Sequence, residues 1–143
     1  MRSLALDIGD KRIGVALSDP HGILASPLTI IERQDINADV QAIIDIATHK
    51  EVARIIVGLP RSMNGSIGTQ AEKVQSFTEE LAGHTRIPLE FRDERLTSVS
   101  AQRLMHEANP GKTKKHAKDD AIAAAIILQS YLDESAPQAN END

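Results

Sequence analysis

Residues 4–19 read LALDIGDKRIGVALSD, and the fold turns on how that stretch is paired. Ser3–Asp7 (SLALD) and Arg12–Ser18 (RIGVALS) are apolar runs separated by Ile8-Gly9-Asp10-Lys11, which makes them a hairpin. Working outward, Pro27–Ile31 (PLTII) follows a turn containing Gly22 and supplies a third antiparallel strand. Ala38–His49 sets Val40, Ile43, Ile44 and Ala47 at i, i+3, i+4 and i+7, a single apolar helical face. Arg54–Leu59 (RIIVGL) is short, continuously apolar and β-branched in its middle, and Gly58 and Pro60 help close it. That pattern suits a buried parallel strand. A polar loop, 61–69, leads to a helix ending near Gly83 with Ala71, Val74, Phe77 and Leu81 inward, and Pro88–Arg92 (PLEFR) is the fifth strand.

Thr97 or Ser98 can cap the next helix, on which Ala101, Leu104, Met105 and Ala108 share a face until Asn109-Pro110-Gly111 stops it. Residues 112–118 read as a basic loop, and Asp119–Leu132 as a helix whose AIAAAIIL core (121–128) is apolar all round and so packed on most sides. The order is β-β-β-α-β-α-β-α-α. Right-handed crossovers put the fourth and fifth strands parallel to the first, in a mixed five-stranded sheet covered by helices on both faces. The ribonuclease H-like fold has this order. One domain over 1–133 is expected, followed by an acidic, disordered tail over 134–143.

Composition bounds the chemistry. A chain of 143 residues, 41 % hydrophobic, supports one globular domain and buries roughly 70 % of the surface it exposes when unfolded. It has no cysteine, which excludes disulfides, a thiolate metal site and a cysteine nucleophile. No apolar run approaches the ~20 residues of a membrane span, and the N-terminus lacks the pattern of a signal peptide. A cytoplasmic protein without a membrane partner is expected. The net charge is −5, but removing the acids of the tail (Asp133, Glu134, Glu141, Asp143) brings it to −1. From Arg86 to Lys118 there are eight Lys/Arg against four Asp/Glu. Local field counts for more than the total with a charged partner. Aromatics are limited to Phe77, Phe91 and Tyr131, too few for base-stacking platforms.

Several acids end elements. Asp7 closes the first strand, Asp93 and Glu94 follow the fifth in RDER, and Asp119 and Asp120 open the last helix. Each alone is ordinary turn or capping chemistry. Together, if strands one and five run the same way, they gather on one sheet edge. Crowded carboxylates raise one another's pKa unless a cation compensates. Without Cys or HxxxH-type spacing, oxygen ligands point to Mg²⁺ or Mn²⁺ rather than zinc.

The segments LALDIGDKRIGVALSD, IIVGLPRSMNGS, DERLTSVSA and KDDAIAAAIILQSYL, in that order from Leu4 to Leu132, resemble a known family. It is that of the Holliday-junction resolvase-like proteins of ribonuclease H-like fold, also described as pre-16S ribosomal RNA nucleases. The resemblance implies an active site of three acids: one on the first strand, the glutamate of DER, and an aspartate opening the last helix. These fall on Asp7, Glu94 and Asp120. The family typically has an apolar residue before that last aspartate, whereas this chain has Asp119, so Asp119 stays open beside Asp120; the spacing of the alanine-rich helix favours Asp120. It implies phosphodiester hydrolysis with paired divalent ions about 4 Å apart, Asp7 bridging them and Glu94 and Asp120 each holding one. Asp93 could orient a ligand or pair with Arg92 or Arg95, and Arg95 could form a salt bridge or contact phosphate.

Further residues are candidates for holding nucleic acid. The loop 58–66 (GLPRSMNGS) leads to a helix N-terminus, where free N–H groups favour an anion, and offers Arg61 and Asn64. Lys112, Lys114, Lys115 and Lys118 adjoin the last helix, and Lys11 and Arg12 sit in the first hairpin. The expected partner is structured RNA, a ribosomal precursor ahead of branched DNA, with the chain a monomer or weak dimer; symmetric cutting of a four-way junction would need two sites. A junction resolvase and a non-catalytic nucleic-acid-binding or transcription-associated module are the alternatives. An actin-like phosphotransferase would share the first hairpin but needs a second domain.

Overall fold

Strand alternation sorts large and small side chains onto opposite faces of one sheet, and that sorting places everything else. In the computed structural model, residues 1–62, 64–108 and 116–135 are described, with the backbone alone for 116–119. The elements are β1 (Arg2–Ile8), β2 (Arg12–Ser18), β3 (Ala25–Glu32), α1 (Ile36–His49), β4 (Val52–Leu59), α2 (Thr69–Ala82), β5 (Leu89–Asp93), a 3₁₀ turn (Glu94–Leu96), α3 (Val99–Ala108) and α4 (His116–Ser135). The sheet order is β3-β2-β1-β4-β5. β1 pairs antiparallel with β2 (Asp7 opposite Gly14) and parallel with β4, which pairs parallel with β5. The C-terminal ends of β1, β4 and β5 therefore share one edge. This is the expected ribonuclease H-like arrangement.

One face of the sheet carries the bulk. Leu4, Leu6, Ile8, Ile13, Val15, Ile55 and Val57 pack on Val40 and Ile43 of α1 and on Val74, Phe77 and Leu81 of α2. The other face is lined by Ala5, Ala16 and Ile56, against Ala124, Ala125, Leu128 and Tyr131 of α4 and Met105 of α3. Small residues on both partners let α4 lie close to the sheet. Asp35 caps α1 by accepting from Ala38 N. Asp39, 2 % exposed, accepts from Arg33 Nε at 3.1 Å, while Arg33 Nη1 donates to Gly9 O at 3.0 Å, tying the start of α1 to the β1–β2 turn.

Several boundaries differ from the sequence reading. β3 extends to both sides of 27–31 and slips register between Val15 and Ala16, where Ala16 faces Pro27. A proline without an N–H is tolerated because β3 is an edge strand. Leu104 is 39 % exposed, and only Ala101 and Met105 of α3 are buried, so the α3 contact is a narrow i, i+4 stripe. α4 begins at His116, not Asp119, which puts Lys118 in the helix rather than in a basic loop; Ala117 and Lys118 are good helix formers and no Gly or Pro separates them from Asp119. α4 also passes 133 to Ser135, and Glu134 pairs with buried Arg92. The rest of the tail lies outside the described residues.

Candidate active site

Asp7 is the penultimate residue of the central strand, and the alternation that buries Leu6 and Ile8 on one face turns Asp7 to the face of α4. Two glycines on the flanking strands clear its surroundings. A Cβ at Gly14 on β2 would stand 2.0 Å from the backbone oxygen of Asp120, so only glycine lets α4 cross there. A Cβ at Gly58 on β4 would stand 2.6 Å from Ile127 Cδ1 and 2.8 Å from Glu94 Oε2. The Glu94 carboxylate thus lies over β4 toward Asp7. The strand, the 3₁₀ turn and the helix bring Asp7, Glu94 and Asp120 into one neighbourhood.

Electrostatics show how closely they interact. Burial, then the charge of Asp120, pushes Asp7 up to about 6, against the opposing effect of its hydrogen bond with Glu94. Burial, the charge of Asp7, that same hydrogen bond and the charge of Asp93 push Glu94 up to about 7. When Glu94 is protonated it donates to the Asp7 carboxylate, so the pair binds a proton at higher pH than free carboxyls do. The three groups do not already close on a single point: among the described residues no three acids or histidines stand at metal-binding spacing. The donor set nonetheless fits a hard divalent cation. It is all oxygen, it is half-buried, and burial first, then the neighbouring negative charge, makes the two carboxyls hold on to protons that a cation could replace.

The turn bearing Glu94 is held at both ends. Asp93 accepts from Arg95 N at 2.9 Å, capping it, and from Arg95 Nη2 at 2.6 Å. Asp93 and Arg95 thus pair with each other; Arg61 Nη1 stands 4.0 Å from the same carboxylate, which is held below its ordinary pKa chiefly by the Arg95 hydrogen bond. On the other side Arg92, 8 % exposed, donates from Nη2 to Leu96 O at 3.3 Å and forms two bonds with Glu134, at 3.0 and 2.6 Å. Sequence reading missed this clamp, because its partners lie 42 residues apart and neither belongs to a motif.

The remaining candidates divide. Arg61 is at the same edge, and the positive-φ turn at Gly65 passes 3.5 Å from Arg95 Nη1, measured from an added Cβ. Asn64 caps its own loop, its side-chain oxygen accepting from Ser66 N at 3.0 Å. Arg12 reaches Glu32 at 3.4 Å, and Lys11 is exposed in the β1–β2 turn. Lys112, Lys114 and Lys115, and the side chains of Lys118 and Asp119, lie outside the described residues. Gln102, absent from the sequence reading, and Thr97, read there only as a candidate helix cap, line a cleft of about 180 Å³ with Asp7 and Glu94. No helix among the described residues is long and apolar enough to cross a membrane.

A mixed sheet of this order, with carboxylates from β1, the turn after β5 and α4 on one edge, is the ribonuclease H-like arrangement. The family model described as "RuvX: Holliday junction resolvase" matches residues 1–134, and the chain belongs to that family. Proteins named "Putative pre-16S rRNA nuclease" are similar over nearly their whole length. The one from Symbiobacterium thermophilum is 44 % identical, covering 99 % of each chain. The one from Caldanaerobacter subterraneus subsp. tengcongensis is 50 % identical, over 93 % of this chain and 96 % of its own. Among solved structures, Thermus thermophilus RuvC in complex with Holliday junction substrate has a TM-score of 0.65 at 10 % identity, covering 96 % of this chain and 98 % of its own. Fowlpox virus resolvase has a TM-score of 0.61 at 13 % identity, covering 96 % and 100 %. These two likenesses establish the fold.

Proposed function

We propose that this protein is a divalent-metal-dependent endonuclease that trims the 5′ end of pre-16S ribosomal RNA in the cytoplasm, with Asp7, Glu94 and Asp120 as its active-site acids. The observation that carries the reading is the crowding of Asp7, Glu94 and Asp120 at the edge where β1, β4 and β5 end, with Gly14 and Gly58 making room for it; the raised pKa of Asp7 and Glu94 supports it. A group of acids that a fold buries at its own cost, with glycines clearing room for them, has a use beyond stability.

Asp7, the central member, would be shared between two ions, with Glu94 and Asp120 completing the oxygen ligands. Mg²⁺ or Mn²⁺, when bound, supplies an activated water and a counter-charge for the departing 3′ oxygen. The chain's own residues set the conditions. The Asp7–Glu94 pair releases its proton as pH rises through neutrality, freeing four carboxylate oxygens. Arg61 and Arg95, pinned together by Asp93, offer positive charge on the outer side of Glu94 for the phosphates of the strand being cut. Lys11, in the β1–β2 turn, and Arg12, which begins β2, extend that charge along the same edge; Lys112, Lys114, Lys115 and Lys118 are further candidates for phosphate contact. One chain holds all three acids, so cutting one strand needs no second copy.

The test compares the parent with Asp7→Asn on precursor 16S RNA and on a synthetic four-way junction, with Mg²⁺ or Mn²⁺ and with chelator. The reading expects metal-dependent cleavage of the RNA, little of the junction, and a loss of about 10³-fold or more in the variant. Cleavage by Asp7→Asn at the parental rate would overturn the site, and preferential junction cleavage would overturn the substrate.

A further inference from the structure

The cleft beside Asp7 and Glu94 has two unlike walls. One is apolar: Ala123, Ile126 and Ile127, all on α4. The other is polar and neutral: Thr97, just after the 3₁₀ turn, and Gln102 on α3, whose Nε2 lies 3.5 Å from Thr97 Oγ1. No Lys, Arg or His among the described residues lines it. A phosphate seated between these two walls would find no positive side chain among them, so the walls themselves are not built for the backbone of a nucleic acid.

An apolar wall facing an amide and a hydroxyl suits a flat heterocycle. The ring face rests on the isoleucines, while the amide, which both donates and accepts, meets the polar edge together with the hydroxyl. Size narrows the choice. An apolar cavity of about 150 Å³ takes up benzene, so about 180 Å³ has room for one six-membered ring. A base is tethered to its phosphate through one sugar, so a strand whose phosphate sits at the acids has a flanking base within reach of this cleft. A base engaged in pairing cannot also present its Watson–Crick edge to Gln102, nor lay its ring face on the isoleucines.

We propose that the cleft seats the unpaired pyrimidine of a nucleotide flanking the scissile phosphate, with Thr97 and Gln102 as specificity-determining residues. The proposal rests on the nuclease reading for what lies next door, but its test does not depend on cleavage. Binding of short single-stranded RNAs is measured in chelator by fluorescence anisotropy, with a uridine, an adenosine or an abasic residue at one position of an otherwise constant strand. The parent should bind the uridine strand about fivefold or more tightly than the abasic one, the value of one or two net hydrogen bonds. The adenosine strand should bind more weakly than the uridine strand. Thr97→Val/Gln102→Ala should erase the difference while keeping the unfolding midpoint and the affinity for the abasic strand, and in metal it should raise KM more than it lowers kcat. Equal binding of all three strands by the parent, adenosine binding as tightly as uridine, or full discrimination in the double variant would overturn the proposal. If discrimination stands and no RNA is cut, the nuclease reading fails and the cleft assignment survives.

Discussion

A single methyl group at Gly14 would undo the placement of Asp120. Its Cβ would meet backbone atoms, at 2.0 Å from Asp120 O and 2.4 Å from the carbonyl carbon, and backbone cannot swing aside as a side chain can. Gly14→Ala should therefore shift the first turns of α4, costing about 1–3 kcal/mol of stability in urea unfolding and most of the cleavage activity together. Gly58 is a different case. There the obstructing atoms are the tips of Ile127 and Glu94, both of which can rotate. Gly58→Ala should leave the unfolding midpoint nearer the parent's but turn the Glu94 carboxylate away from Asp7. A displacement of this kind lowers kcat by about 10- to 100-fold with little change in KM. A Gly58→Ala enzyme with parental kcat would show that the position of the Glu94 carboxylate does not matter.

Between elements, α4 serves the site at both of its ends. Near its start it supplies Asp120. Near its end Glu134 grips Arg92, and Arg92 in turn holds the carbonyl of Leu96, the last residue of the turn that carries Glu94. Arg92 and Glu134 are positioning residues: neither needs to touch substrate. Glu134→Gln keeps one hydrogen bond of the pair but loses the charge opposite a buried guanidinium; Glu134→Ala loses both. Cleavage should fall in the order parent, Gln, Ala, by about tenfold at the far end, with kcat affected more than KM. An unchanged KM separates loss of positioning from loss of substrate contact. Equal rates across the series would mean that the turn is held by Asp93 and Arg95 alone.

The strand order and the existence of each helix were legible, because each left a local trace. Periodicity separates RIGVALS from the 38–49 helix, and Asp7 and Glu94 stand where β1 and β5 end, whereas Asp120, one turn inside α4, was singled out beside them by the family resemblance. What could not be read were relations without a local signature. The Arg92–Glu134 clamp joins β5 to the end of a helix whose last residues look like an acidic tail. Gly14 and Gly58 look like weak points in strands until the helix and turn lying over them are known. Leu104 shares a helical face with Met105 yet is exposed, since a period gives the face and not how far the neighbouring element covers it.

For the molecule as a whole, the crowded acids tie stability to pH and to metal. In the folded, metal-free chain Asp7 rises from 3.8 to about 6 and Glu94 from 4.5 to about 7, so between about pH 4 and pH 7 the folded state binds more protons than the unfolded one. Groups raised in this sense contribute stability that is present below their unfolded pKa and lost as pH climbs through the folded one. Asp19, Asp93 and Glu134 are shifted the other way, and their contribution fades only below the ordinary carboxylate range, outside this window. Two units on one carboxyl correspond to about 3 kcal/mol; since the pair shares one proton and Glu94 is partly open to water, about 2 kcal/mol is a fair expectation for both. The metal-free protein should thus melt several degrees lower at pH 8 than at pH 5. A bound divalent cation replaces the proton, and at one hundred times its dissociation constant restores about 2.7 kcal/mol. Differential scanning fluorimetry over that pH range, with chelator and with Mn²⁺, should show rescue at pH 8 and little at pH 5. Asp7→Asn, which carries no charge to repel, should flatten both the pH slope and the metal response. A parent whose midpoint ignores Mn²⁺ at pH 8 would mean that the acids repel one another for no ion's sake, and the metal-dependent mechanism would lose its physical basis.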